Sequence, residues 1–129
     1  MDKEAPKKYW ISASEKDWEV AEHLFASKDY VHSLYLMHLS LEKILKALVV
    51  DRTGKQPPYT HNLLHLAKKT ELEISEEQKQ FLTDMNKFQL EARYPDEKFS
   101  IYKQCNLAFT KKYLKKSREM RSWSFKMLT

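Results

Sequence analysis

The segment from Tyr30 to Asp51, YVHSLYLMHLSLEKILKALVVD, decides the fold of this chain. Its apolar residues recur at steps of three and four, which is the period of one face of an α-helix. Leu36, Leu39 and Val50 widen this stripe, so the sequence predicts a central helix with partners on more than one side. The glycine and prolines that follow predict its end. The stripe comprises Leu34, Met37, Leu41, Ile44, Leu45 and Leu48, and the stop signals are Gly54, Pro57 and Pro58.

Helical patterns flank this segment on both sides. Trp18, Ala21 and Phe25 share one face of a first helix, although Ser14 is also a suitable cap for a shorter one. Ser75 and Gln78 have the spacing of a capping box. The link between the first two helices is so short that they should lie antiparallel. The helices predicted besides the central one are Lys7 to Ser27, Asn62 to Lys69, Ser75 to Arg93 or Tyr94, and Tyr102 to Met127.

The composition indicates an all-α protein. Among 129 residues there are one glycine and four prolines, fewer than the turns of a sheet protein need. Hydrophobic residues make up 42% of the chain, which is enough for one core. The sequence therefore predicts an antiparallel up-and-down bundle of four to five helices, with residues 1–129 forming a single domain.

The chain lacks the features of membrane and secreted proteins. No run approaches the roughly 18 apolar residues of a membrane span. The N-terminal sequence MDKEAPKKYW mixes both charge signs and has no apolar core, unlike a signal peptide. Cys105 is the single cysteine, so an internal disulfide cannot form. These features predict a cytoplasmic protein that does not associate with membranes.

The basic residues concentrate near the C-terminus. Between Lys103 and Lys126 there are eight basic residues, and Glu119 is the one acidic residue. Such a stretch can bind nucleic acid through phosphate contacts. The simpler interpretation is the solvated face of a surface helix, because base-stacking aromatic side chains would also have to be exposed.

Four short motifs place charged groups among apolar residues. The first helix carries Trp10 and the run from Asp17 to Ala21, DWEVA. The central helix carries E-K-x-x-K-A, and a T-H-x-L segment follows the loop. The predicted fourth helix ends in A-R-Y-P-D. In this sequence these patterns are Glu42, Lys43, Lys46 and Ala47, then Thr60, His61 and Leu63, then Ala92 to Asp96.

In this order the motifs resemble the HEPN family along nearly the whole chain. The resemblance implies a bundle of about four to five helices that forms a homodimer and serves as a nucleotide- or RNA-linked module. It also implies a minimal nucleotidyltransferase as partner, in a toxin–antitoxin-like pair. Nuclease members use an R-x(4–6)-H motif without metal, but no histidine follows Arg93 here, and eight residues separate Arg52 from His61. The sequence therefore favours a non-catalytic module with no cofactor.

The motifs indicate a site between the central helix and the end of the fourth. Lys43, Lys46 and Arg93 are expected to offer positive charge to a phosphate. Three further residues are expected to orient them or to contact a base or ribose: Glu42, His61 and Asp96. This hypothesis depends on the cations of two helices meeting in one water-accessible pocket.

Each candidate has a simpler interpretation. Glu42 and Lys46 form an i, i+4 pair that stabilises an exposed helix by only ~0.2–0.5 kcal/mol. Arg93 stabilises the C-terminal end of its helix, where a positive charge is favourable, or it pairs with Glu42. His61 and His65 have a spacing known from zinc sites, but no third ligand is evident, so no metal is predicted.

Two alternative functions follow. One is a metal-independent ribonuclease with a non-standard site that uses His61 or His38. The other is a purely structural protein that dimerises.

Overall fold

The computed structural model describes residues 2–129, which form six helices and no strand. Met1 of the predicted 1–129 domain lies outside this range. The predicted all-α bundle is confirmed. None of the described helices is long and apolar enough to cross a lipid bilayer. The helices are α1 (Glu4–Ala26), α2 (Tyr30–Thr53), α3 (Leu63–Lys69), α4 (Glu76–Arg93), α5 (Ser100–Gln104) and α6 (Leu107–Met127).

Helices α1 and α2 form a closely packed antiparallel hairpin. Ser14 Oγ donates to the Ser40 carbonyl at 2.8 Å, and Ser40 Oγ donates to the Ser14 carbonyl at 2.9 Å. Small side chains at this contact let the two backbones approach. The alternative that Ser14 caps a shorter helix is therefore wrong, because Ser14 lies inside α1, which begins at Glu4.

Helix α2 is central, as its wide apolar stripe predicted. All six stripe residues are buried, and burying each Leu or Ile stabilises the fold by roughly 1.5–3 kcal/mol. The helix extends to Thr53 and ends at Gly54, whose φ of +69° is the left-handed conformation that glycine adopts most easily. The chain then turns into the loop 54–62, which carries His61 back to the middle of α2.

The predicted capping box of α4 is present. Ser75 Oγ accepts from the Gln78 backbone N–H at 3.0 Å, and the Gln78 side chain accepts from the Ser75 N–H. The aromatic contacts Phe81–Tyr113 and Phe88–Phe109 show that α4 and α6 run antiparallel. These contacts close the core between α4 and α6.

The predicted last helix, Tyr102 to Met127, is instead two helices. Asn106 adopts an extended conformation and its side chain accepts from the Phe109 N–H at 2.9 Å, so it caps a new helix at this point. Before it, Asp96 Oδ1 accepts from the Ser100 N–H and starts α5. The apolar period runs through this break, because Ile101 and Cys105 are both buried.

Candidate functional site

A buried charged network lies in the middle of α2. Lys46 Nζ donates to Glu42 Oε2 at 3.1 Å, and His61 Nδ1 lies 2.8 Å from Glu42 Oε1. The Glu42 and Lys46 side chains are buried, with 5% and 8% exposed, while 52% of the His61 side chain is exposed. We call Glu42, Lys46 and His61 the Glu42 cluster. In this cluster a surface histidine is bound to a buried carboxylate.

The hydrogen bond to Glu42 fixes the tautomer of His61. An ionised carboxylate can only accept, so the proton of the neutral imidazole must lie on Nδ1. Nε2 then carries the free lone pair and has no protein partner in residues 2–129. A neutral His61 therefore offers an oriented acceptor to solvent, and a protonated one offers a donor.

A shallow depression of about 280 Å³ adjoins His61. The Asn86 side chain fixes its geometry, donating to Asn62 Oδ1 at 2.9 Å and accepting from the Leu63 N–H at 2.9 Å. Asn62 in turn caps α3 by accepting from the His65 N–H. We call this the amide depression, and it is lined by Thr60, His61, Asn62, Asn86, Gln89 and Leu90.

Sequence reasoning missed the α4 side of the amide depression. Asn86 and Gln89 lie three residues apart on one helix face, and Gln89 is only 5% exposed although it is polar. The sequence did contain one indication of this site, because Gln89 is a polar residue next to Phe88 on the predicted core face. Leu90, one residue on, is exposed.

A second histidine is buried beneath this surface. His38 lies one turn before Glu42 on α2, and neither of its ring nitrogens has a hydrogen-bond partner in the described chain. Burial lowers the pKa of His38 to about 4, although Glu42 and the His61 backbone oppose this shift. His38 is therefore neutral at physiological pH and adds no charge to the cluster.

Two aromatic rings flank the Lys46 ammonium group. Its Nζ lies 5.0 Å from the centre of the Trp10 ring and 6.0 Å from that of Tyr59. Both distances are within the range of cation–π attraction. Tyr59 is completely exposed, and its ring lies 6.5 Å from that of His61. The loop 54–62 therefore places the exposed Tyr59 ring beside the Glu42 cluster.

The other predicted site residues lie outside the Glu42 cluster. Lys43 Nζ pairs with Asp17 of α1 at 2.6 Å. Arg93 is exposed at the end of α4, 5.6 Å from the ring of its neighbour Tyr94. Asp96 lies just before α5 and accepts from the Ser100 N–H at 2.9 Å, and hydrogen bonds from Ser100 hold its pKa below the usual value.

The expectation of three converging cations is revised accordingly. Lys46 is neutralised by Glu42 and Lys43 by Asp17, because buried or half-buried ammonium groups need a partner. Arg93 does not pair with Glu42 and has no carboxylate partner in the part of the chain that the structure describes. Among residues 2–129, Arg93 is therefore the one of these three cations without a carboxylate partner.

His61 and His65 do not combine into a ligand set. Residues 2–129 contain no group of three or more His, Cys, Asp or Glu side chains placed to hold a metal ion. His65 lies exposed on the first turn of α3, while His61 is held by Glu42.

Comparisons with known proteins show the family through a family model and the fold through a solved structure. The family model described as HEPN domain matches residues 7–128. Among solved structures, the chain is similar to the crystal structure of TT1696 from Thermus thermophilus, with a TM-score of 0.81 and 16% identity. The superposition covers 95% of this chain and 98% of that chain. No curated protein matches the chain significantly.

Proposed function

This chain belongs to the HEPN domain family, and on that premise we propose that it is a non-catalytic module that binds a nucleotide or a short RNA segment at the Glu42 cluster. The family is linked to nucleotides and RNA. The observation that carries the proposal for this chain is the His61 imidazole, which a buried carboxylate orients toward the amide depression.

The chemistry of this surface suits a ribose more than a bare phosphate. Neutral Nε2 of His61 accepts a hydrogen bond, and a ribose hydroxyl donates one. The side-chain amides of Asn62 and Asn86 both donate and accept, so they complement hydroxyl groups and base edges. The local charge is nearly balanced, because Glu42 neutralises Lys46. A neutral, hydrogen-bonding part of the ligand therefore belongs here.

A phosphate group requires a cation, and Arg93 supplies one. Arg93 follows Gln89 by four residues on α4, so it lies on the same face about 6 Å further along the axis. Its planar guanidinium binds phosphate oxygens in pairs. We expect the sugar at His61 and the phosphate toward Arg93, with Asp96 at the end of this surface. Lys43, held by Asp17, acts on the ligand only by long-range attraction.

The partners follow from the exposed apolar side chains near the end of α4. Four large side chains there are 45–70% exposed, which is unusual for a surface without a partner. We propose that this face forms the homodimer, and that the dimer pairs with a minimal nucleotidyltransferase as in toxin–antitoxin systems. Light scattering should give twice the mass of the chain. These side chains are Leu90, Tyr94, Phe99 and Tyr102.

Isothermal titration calorimetry with ATP, GTP and a short RNA tests the binding function. Replacing Arg93 by alanine should weaken binding roughly 10- to 100-fold, the loss expected for a hydrogen bond to a charged group. Replacing His61 should weaken it roughly three- to tenfold, the loss of one hydrogen bond between uncharged groups. His65→Ala is the matched control, since His65 is an exposed histidine four residues away that does not line the depression. Binding that both variants retain, or no binding by the wild type, would refute the proposal.

One observation favours ribonuclease activity as a second candidate. A carboxylate-oriented imidazole is the arrangement of a general base, and Nε2 of His61 is the atom that would take the 2′-hydroxyl proton. The missing R-x(4–6)-H motif opposes this function. Cleavage of total RNA that survives a chelator, disappears with His61→Ala and persists with His65→Ala would establish it.

A further inference from the structure

A second pocket lies beside the Glu42 cluster, between the start of α1 and the loop 54–62. Its volume is about 380 Å³, near the lower end of the range for small-molecule sites. A space of this size suits one ring system and is too small for several nucleotides. We call it the α1–loop pocket, and it is lined by Pro6, Tyr9, Trp10, Val50, Gln56 and Pro57.

The walls of the α1–loop pocket are flat and apolar. Tyr9 and Trp10 contact edge to face, with ring centres 4.9 Å apart. Tyr9 is 62% exposed and Trp10 is partly exposed, so neither ring is fully buried in the core. Nucleobases stack on such rings whatever their sequence. The pocket therefore favours a planar, uncharged group.

Lys46 of the Glu42 cluster contacts Trp10, one of the residues that line the pocket. Lys46 Nζ lies 5.0 Å from the Trp10 ring and hydrogen bonds Glu42, which holds His61. The exposed Tyr59 ring lies 6.0 Å from the same Nζ and 6.5 Å from the His61 ring, so the two places adjoin at the surface. Glu42 already neutralises Lys46, and the described residues that line the pocket include no cation, so the phosphate end of a bound nucleotide does not belong in it.

Gln56 adds the one side-chain amide among the pocket residues. It is exposed and its amide has no hydrogen-bond partner within residues 2–129. An amide offers a donor beside an acceptor, the pattern that Gln and Asn use to pair with the N6 and N7 atoms of adenine. We infer that the α1–loop pocket receives the base of the bound nucleotide, with adenine preferred. This inference rests on the proposed function and adds the base specificity.

Tryptophan fluorescence provides a direct test. The variant Trp18→Phe/Trp123→Phe leaves Trp10 as the single tryptophan reporter. AMP should quench its emission, and ribose 5-phosphate should not, because only AMP carries a base to stack on the ring. Calorimetry on the wild type repeats the comparison without any change in the core.

Gln56→Ala, with Gln104→Ala as matched control, tests the amide. Gln104 is an exposed glutamine at the end of α5, outside the pocket. Gln56→Ala should weaken AMP binding roughly three- to tenfold, the effect of one lost hydrogen bond, and leave ribose 5-phosphate unchanged.

The outcomes separate this inference from the function it rests on. If AMP and ribose 5-phosphate bind equally tightly in a manner that depends on His61, the base pocket is refuted and the binding function stands. The same holds if AMP binds without quenching Trp10. If no nucleotide binds at all, both proposals fail.

Discussion

Replacing Glu42 by leucine should destabilise the protein strongly, because it leaves the buried Lys46 ammonium group without a carboxylate partner. That group is 8% exposed, and Glu42 is its only carboxylate within 4.0 Å in the described chain. Leaving a buried charge without its partner costs about 3–5 kcal/mol. Small proteins have a free energy of unfolding of about 5–15 kcal/mol, so this variant should lose a fifth or more of its stability.

Urea denaturation followed by circular dichroism measures this loss. With a slope near 2 kcal/mol per molar urea, the midpoint should fall by about 2 M. The double variant Glu42→Leu/Lys46→Met should recover to within about 1 kcal/mol of the wild type, since it removes both charges. Glu91→Ala is the matched control. It removes the carboxylate of a surface i, i+4 pair, Lys87–Glu91 at 3.8 Å, in which 71% of Lys87 and 33% of Glu91 are exposed, and it should cost less than about 1 kcal/mol.

The comparison has a clear refutation. If Glu42→Leu costs no more than Glu91→Ala, the Lys46 ammonium group reaches water. The buried network that orients His61 would then not exist. A double variant that remains as unstable as Glu42→Leu would show that the loss comes from packing and not from the stranded charge.

Three further predictions concern sites away from the cluster. Burial raises the pKa of Asp51, but hydrogen bonds from Thr129 and Lys7 outweigh it and set the pKa below the usual 3.8. The ionised carboxylate therefore contributes stability above about pH 4, and this stability is lost as the pH falls through the folded pKa. Asp51→Asn should lower the free energy of unfolding by about 2–4 kcal/mol at pH 7 and by progressively less below pH 4. A difference between variant and wild type that does not change with pH would contradict this. Burial raises the pKa of the Cys105 thiol to about 11, so iodoacetamide should label the native protein at pH 8 at least roughly a hundredfold more slowly than the urea-unfolded chain; equal rates would show an accessible thiolate. Ser75→Ala removes one half of a capping box and should lower the free energy of unfolding by about 1 kcal/mol in urea titrations, and an unchanged midpoint would show that the cap contributes nothing.

Much of the fold follows from local chemistry that the sequence displays. The stripe of α2, the glycine stop at Gly54 and the Ser75 capping box each depend on residues within a few positions of one another. Such signals predicted four of the helices to within a few residues. The break at Cys105 and Asn106 escaped prediction, because the apolar period continues through it and a cap depends on a single side chain.

The site was less accessible to sequence reasoning. The sequence placed Glu42, Lys46 and His61 in one site, but it could not show which carboxylate each lysine would find. Asp17 neutralises Lys43 across the α1–α2 contact, a pairing between helices that no spacing along the chain encodes. The tautomer of His61 likewise depends on a contact 19 residues away.

The protonation pattern of His61 tests the central claim most directly. Two-dimensional ¹⁵N–¹H NMR of the imidazole, with AMP added stepwise, reports which ring nitrogen carries the proton and whether the other meets a ligand. For the neutral imidazole we predict a proton on Nδ1, an Nε2 signal that shifts with AMP, and no shift for His65. A proton on Nε2, or a His61 signal that AMP leaves unchanged, would contradict the account.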